Sequence, residues 1–173
     1  MNLNNLVQAS IFTSTAVGLG FIFMLIPNLE FISITVFLSG ITLGYSLGAL
    51  VGGTSMLIYS TLNPLGSGLV FLPLLISQIL AMAVIGFSGG IFKKLFFKIK
   101  IKSLSIISGI IGSLCAIWYD GLTTLAYPLS AGYNFNEIMA YALAGLIFTA
   151  MHIVANGLIF CISVPIFISR MKT

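Results

Sequence analysis

Five long apolar runs, with little polar sequence between them, leave this chain few ways to fold. They cover residues 5–26, 31–62, 67–92, 103–127 and 137–169. Each is long enough to cross a bilayer as a helix, which takes about 20 apolar residues. Only 6% of the 173 residues are charged, against about 25% in soluble domains. The sequence therefore predicts an all-α, polytopic protein of the cytoplasmic membrane, with residues 1–173 forming a single membrane domain.

The basic residues are confined to two short segments, and this predicts the orientation of the chain. Five lysines lie within residues 93–102, and Arg170 and Lys172 lie near the C-terminus. Cytoplasmic ends of membrane helices accumulate lysine and arginine, so we expect both segments on the inner side. The three runs that follow residue 66 then cross the membrane inward, outward and inward again.

The run 31–62 is too long for one membrane helix. As a single helix it would extend about 48 Å, whereas the hydrocarbon core is about 30 Å thick. Its glycines recur every four residues in "GITLGYSLGALVGG", and its one polar point with glycine on both sides is the pair Tyr45 and Ser46. Because glycine permits a reversal of the chain, we predict a break within residues 44–48. That gives six membrane helices with both termini cytoplasmic, whereas an unbroken helix would give five with the N-terminus outside.

A few polar side chains interrupt the apolar runs. Charged side chains within membrane helices are costly and usually face the bundle interior. Asp120 and His152 are the candidates, and Asn156 follows His152 by four residues, so both lie on one helix face. Polar groups among aromatic side chains are typical of small-molecule sites. We predict a substrate-binding pocket in the outer half of the bundle, formed by Glu30, Asn63, Gln78, Trp118, Tyr119, Asp120, His152 and Asn156.

The same residues also have a purely structural interpretation. Asp120 and His152, or Asn156 and a backbone carbonyl, would satisfy each other across helices without any ligand. Gln78 alone is more typical of such a structural contact. The two aromatic residues that precede Asp120 equally suit anchors at the membrane surface. The sequence leaves the binding and the structural interpretations open.

Neither catalysis nor a metal site is predicted. A serine nucleophile needs a base and an oxyanion donor, and the single histidine would have to serve as both. Cys115 and Cys161 lie in apolar runs without a metal-ligand spacing, which indicates packing roles. The sequence contains no G-x-x-x-x-G-K-[ST] phosphate loop. We therefore expect no enzyme activity and no cofactor, and an energy source outside this chain if it takes part in transport.

A stripe of small residues follows the first apolar run. Its members recur at intervals of three and four residues, namely Ala9, Thr13, Ala16 and Gly20. Small residues let membrane helices approach closely. We predict this face as a docking surface for a partner subunit, and the alternative is packing within the chain.

Several stretches of the chain resemble one family of membrane proteins. "IPNLEFISITVFLSGITLGYSLGALVGGTSMLIYSTLNPLG" is similar to the first part of the substrate-binding (S) components of energy-coupling factor (ECF) type ABC transporters. There, a Pro-Asn-x-Glu outer loop precedes a membrane helix, a glycine-flanked cytoplasmic turn and a "GALVG" stretch. The later "WYDGLTTLAYPL" and "HIVANGLIFCISVP" resemble stretches of uncharacterised members. The resemblance covers nearly the whole chain, and it depends on the order and spacing of these stretches.

The resemblance implies six membrane helices and capture of a vitamin or similar micronutrient from the outer face. It also implies docking on a transmembrane coupling subunit that carries two cytoplasmic ATPase subunits. In that family, docking uses small residues of the first helix, often as an Ala-x-x-x-Ala pair. Here Ala9 is followed by Thr13 and Ala16 by Gly20, and Tyr45 stands where the glycine turn usually has proline.

We therefore expect a substrate-capture subunit of an ECF-type transporter, with a small-molecule ligand held in the outer half of the bundle. An acidic outer half without lysine or arginine favours a neutral or cationic ligand over a carboxylate. The alternatives are a stand-alone or proton-linked transporter or channel for a small solute, and a structural membrane assembly factor. No nucleic-acid partner is expected, because a basic patch with stacking aromatic residues is absent from the sequence.

Overall fold

The computed structural model describes residues 3–172, and in this part of the chain all the regular structure is helical. Its seven α-helices are α1 (Leu3–Phe23), α2 (Ile32–Leu43), α3 (Tyr45–Leu62), α4 (Leu72–Lys98), α5 (Ile101–Ser130), α6 (Phe135–Ala144) and α7 (Leu146–Met171). A short 3-10 turn, Gly68–Val70, precedes α4. The all-α prediction is confirmed.

Four of the helices in residues 3–172 are long and apolar enough to cross a membrane, namely α1, α4, α5 and α7. Helix α2 has 12 residues and would extend about 18 Å, which is less than the thickness of the hydrocarbon core. The helices are thus compatible with a multi-pass membrane protein, with four rather than six of them meeting the length and composition that a full crossing requires.

The run 31–62 is broken at Gly44, as predicted, and is not the single long helix of the alternative. Gly44 has a φ of +93°, a backbone conformation that glycine adopts without steric strain. After the break the chain folds back on itself. A methyl group added at Gly48 would lie 2.5 Å from Cα of Gly40, and one added at Gly52 would lie 2.9 Å from Cγ1 of Val36. Helices α2 and α3 therefore form an antiparallel hairpin.

Glycines also bring α4 against this hairpin. A methyl group at Gly40 would lie 2.0 Å from the carbonyl oxygen of Gly86, and one at Gly48 would lie 2.3 Å from the same oxygen. These distances are well inside van der Waals contact, so the three backbones meet without side chains between them. The glycine ladder thus serves both the reversal and the packing of three helices.

Helices α5 and α7 form the second closely packed pair. Phe160 lies over Gly112, and the Ser113 hydroxyl donates a hydrogen bond to the carbonyl oxygen of Ile153 at 3.2 Å. The two halves of the bundle meet at buried aromatic rings, where the centroids of Phe37 and Phe160 are 5.2 Å apart. This contact joins α2 to α7. The buried core of the protein therefore lies between the α2–α3–α4 group and the α5–α7 pair.

The last apolar run, 137–169, forms two helices rather than the single one expected from the sequence. It is divided at Gly145 into α6 and α7. Asn134 caps α6 through its side chain, which accepts hydrogen bonds from the backbone N–H groups of Asn136 and Glu137. In turn, the Glu137 carboxylate accepts a hydrogen bond from the backbone N–H of Asn134 at 2.7 Å. This reciprocal capping starts a separate short helix.

The basic residues collect at one end of the bundle. Lys93 Nζ donates a hydrogen bond to the carbonyl oxygen of Thr42 at 3.2 Å, just before the break between α2 and α3. Lys172 Nζ lies 5.9 Å from the centroid of the Phe97 ring, near the end of α4. The break, the connection from α4 to α5 and the end of α7 therefore share one end.

The connection from α1 to α2 and the start of α6 lie at the opposite end. There the ring of Phe71, before α4, lies 5.9 Å from the ring of Tyr127, near the end of α5. Glu30 and Glu137 belong to this end. The protein thus has a basic end and an acidic end, separated by the length of the bundle.

Candidate functional site

Asp120 and His152 lie opposite each other on α5 and α7. Oδ1 of Asp120 is 2.8 Å from Nδ1 of His152. The pair forms because the close glycine packing of these antiparallel helices brings their polar residues to the same depth. An aspartate on one nitrogen of an imidazole fixes the ring orientation and leaves the other nitrogen to face a further group.

Glu30 supplies that further group from the connection between α1 and α2. Its Oε1 lies 3.7 Å from Nε2 of His152 and 3.4 Å from Nδ2 of Asn156. Its Oε2 accepts a hydrogen bond from the backbone N–H of Ser33 at 2.9 Å, in the first turn of α2. The Ser33 contact thereby holds the Glu30 carboxylate in place beside His152 and Asn156.

These contacts join four of the eight predicted site residues into one group, the acidic-end cluster of Glu30, Asp120, His152 and Asn156. Asn156 is completely buried and His152 is 7% exposed. The two carboxylates stand on either side of the imidazole rather than around a common point. Among residues 3–172, no group of three or more histidine, cysteine, aspartate or glutamate side chains is arranged to hold a metal ion.

Several buried polar atoms of the cluster have no hydrogen-bond partner. In the described part of the chain, five buried side-chain nitrogen or oxygen atoms have no hydrogen-bond partner, and three of them lie here: Oδ2 of Asp120, Nε2 of His152 and Oδ1 of Asn156. A buried polar atom without a partner costs about 1–3 kcal/mol. Three polar atoms that can still form hydrogen bonds are therefore concentrated in this one place.

The two predicted aromatic walls have different positions. The ring of Tyr119 stands edge-on to the His152 ring, with centroids 6.0 Å apart. Trp118 is 42% exposed and lines a shallow apolar groove between α4 and α5, with Val84 and Ser88. Trp118 therefore does not form a wall of the cluster, whereas Tyr119 does.

The two remaining predicted residues lie around the cluster rather than in it. The Ser60 hydroxyl donates a hydrogen bond to Oε1 of Gln78 at 2.6 Å, and the Gln78 side chain also reaches Tyr119. Oδ1 of Asn63 accepts a hydrogen bond from the backbone N–H of Leu65 at 2.9 Å, so Asn63 shapes the turn after α3. Gln78 supports the Tyr119 wall from α4, while Asn63 has a local role.

Two residues that contribute here were not predicted from the sequence. Ser33 binds Glu30 through its backbone N–H, which no side-chain pattern reveals. Tyr59 packs under Gly20, and its hydroxyl is close enough to Glu30 for the two to interact electrostatically. Because Tyr59 precedes Asn63 by four residues, their shared helix face was the one available signal.

A groove on the outside of α5, α6 and α7 leads to Asp120. Its volume is about 380 Å³, and its lining includes Asp120, Gly121, Thr149 and Leu146. The division of the last run at Gly145 creates this groove, because α6 leans on α5 instead of continuing α7. Of the cluster, the groove contacts Asp120 alone.

The small-residue face of α1 packs against other helices of the same chain. Ala9, Ala16 and Gly20 are buried, and Thr13 is half-buried. A methyl group at Gly20 would lie 2.7 Å from Cδ1 of Ile32, so α2 already occupies this face near its end. These contacts favour packing within the chain, the alternative interpretation, and docking of a partner on this face stays a prediction.

Comparisons of the chain with protein-family models, with curated proteins and with solved structures found no match.

Proposed function

We propose that this protein is the substrate-capture (S) subunit of an ECF-type transporter, binding a vitamin or related small micronutrient from the outer side of the membrane. The observation that carries this proposal is the acidic-end cluster, in which three buried polar atoms of Asp120, His152 and Asn156 have no partner. A site of this kind, with a few fixed polar groups beside an aromatic wall, is typical of small-molecule binding.

The proposed topology has six membrane helices, α1 to α5 and α7, with both termini in the cytoplasm. Helices α2 and α3 would cross as the hairpin that reverses at Gly44, the shorter α2 being completed by the connection that contains Glu30. The basic end is assigned to the cytoplasm, because lysine and arginine accumulate there. The acidic-end cluster then faces the outside, where a nutrient arrives.

The proposed partners are a transmembrane coupling subunit and two cytoplasmic ATPase subunits, as the resemblance of the sequence implies. ATP hydrolysis by these partners would drive release of the captured ligand to the cytoplasm. The test is purification of the chain from its native membrane after mild crosslinking. We expect an ATPase complex to accompany it, and uptake in liposomes that requires both the complex and ATP.

A second function is favoured by one feature of the same cluster. The His152 imidazole stands in series between two carboxylates, 2.8 Å from Asp120 and 3.7 Å from Glu30. Chains of ionisable groups inside membrane helices also serve as proton relays. The alternative is thus a stand-alone, proton-linked transporter or channel. Uptake into liposomes that contain this chain alone, driven by a pH gradient and lost in His152→Gln, would establish it in place of the capture subunit.

A further inference from the structure

We propose that the acidic-end cluster binds a cationic ligand that presents N–H donors, as an amidinium or a protonated amine does. This inference rests on the proposed function and names the chemical class of its substrate. It narrows the expectation from the sequence, which allowed neutral as well as cationic ligands.

The formal charge of the cluster is the first argument. With a neutral imidazole the two carboxylates give −2, and with a protonated imidazole the sum is −1. The group is negative in either state. No lysine or arginine lies in residues 3–92 or 103–169. The basic residues are therefore at the other end of the bundle and do not balance the negative charge of the cluster. Net charge removed from water is costly, and a bound cation would offset it.

The unpaired atoms are the second argument, because they specify hydrogen-bond donors. Oδ2 of Asp120 and Oδ1 of Asn156 are buried acceptors without partners. The Asn156 side chain is directed into the cluster, since its Nδ2 faces Oε1 of Glu30 at 3.4 Å. Buried acceptors of this kind favour a ligand that carries N–H donors, and charge-assisted bonds to a carboxylate are the stronger ones.

The contacts of Glu30 are the third argument, because they leave its Oε1 able to accept from a ligand. Both contacts of its Oε1, at 3.7 Å to His152 and 3.4 Å to Asn156, are longer than an ordinary hydrogen bond. Its Oε2 is held by the Ser33 backbone, so the carboxylate stays in place while an N–H donor replaces the long contacts.

The test uses three probes of one size and different charge: acetamidinium, acetamide and acetate. Thermal unfolding of the purified full chain in detergent is measured with each probe at matched ionic strength. A ligand that binds the folded state raises the midpoint in proportion to its affinity. We expect acetamidinium to raise Tm above the values with acetamide and acetate, and to bind at least about tenfold more weakly to Asp120→Asn, which loses a charge-assisted hydrogen bond.

Glu137→Gln is the matched control, because it removes a carboxylate at the same end but within the α6 cap. This variant should respond to acetamidinium as the wild type does. Glu30→Gln gives a second test of the cluster, which keeps the proposal open to refutation if Asp120→Asn does not fold. An equal response to acetate and acetamidinium, or a wild-type response in both cluster variants, would overturn the inference.

Failure of this inference is distinguishable from failure of the proposed function. If the purified protein retains an anionic metabolite, the ligand class is wrong while substrate capture stands. If acetamidinium binds as expected but no ATPase partner accompanies the chain, the cationic site stands and the capture subunit does not.

Discussion

His152 on α7 and Asp120 on α5 are joined through Nδ1 and Oδ1 at 2.8 Å, with the histidine only 7% exposed. This pair connects the two helices that pack most closely in the second half of the bundle. It also turns the other ring nitrogen toward Glu30. One contact thus serves the packing of the bundle and the shape of the candidate site.

The pair should be energetically coupled. Removal of either partner leaves the other buried without it, so Asp120→Asn and His152→Gln should each lower the free energy of unfolding. The double variant should lose less than the sum, with a coupling energy of about 1–3 kcal/mol. Thermal unfolding of the four proteins in detergent measures this. Additive losses would show that the pair contributes nothing to stability.

Gly48 should tolerate no side chain. An added methyl group would lie 2.3 Å from the Gly86 carbonyl oxygen and 2.5 Å from Cα of Gly40, so Gly48→Ala must separate three helices. We expect a loss of at least about 1–3 kcal/mol of stability, as for overpacked cores. Gly53→Ala on the same helix is the control, because its methyl group would meet its nearest neighbour, Ile79, at an ordinary 3.6 Å. Equal effects at both positions would contradict the hairpin packing.

The face of α1 can be assigned to internal packing or to docking by a similar comparison. A methyl group at Gly20 would lie 2.7 Å from Ile32 and 2.9 Å from Tyr59, whereas one at Gly18 would have no neighbour within 4 Å. Gly20→Ala should therefore lower Tm of the isolated chain, and Gly18→Ala should leave it unchanged or raise it slightly through better helix propensity. An unchanged Tm in Gly20→Ala, with weakened binding of a partner complex, would restore docking as the role of this face.

Cysteine labelling tests the orientation. Ser46 follows the break at Gly44, Asn136 lies in the α6 cap, and both are exposed. Single cysteines are introduced there after Cys115 and Cys161 are replaced by alanine. In intact cells an impermeant maleimide should label Asn136→Cys, while Ser46→Cys should react after the membrane is opened. The reverse pattern would place the basic end outside and rule out capture of a nutrient at the cluster.

The sequence predicts well those parts of the fold that follow from the lengths of the apolar runs and from the positions of glycine and charged residues. The length of the run 31–62 exceeds one membrane crossing, and glycine marks the point of reversal, so the break at Gly44 follows from local information. The separation of a basic end from an acidic end also follows from local information, namely the positions of the charged residues along the chain. Asp120, His152 and Asn156 come together because polar side chains in apolar helices have few partners other than one another.

The part that the sequence does not predict depends on how each helix is rotated about its axis. Lipid and protein core are equally apolar, so an apolar helix shows no periodicity that tells its buried face from its exposed one. Trp118 and Tyr119 are adjacent in sequence, yet one faces an outer groove and the other faces His152. The sequence does not predict the break at Gly145, because the apolar run continues through it and the Asn134 cap that starts α6 lies outside the run.

Native mass spectrometry of the purified protein tests the central claim, that the acidic-end cluster captures a small molecule. The wild type and Glu137→Gln are expected to retain a metabolite of one defined mass, which is released on unfolding. Asp120→Asn and His152→Ala, which remove partners from the cluster, should lose it. Retention of the same metabolite to the same extent in both cluster variants would contradict the account.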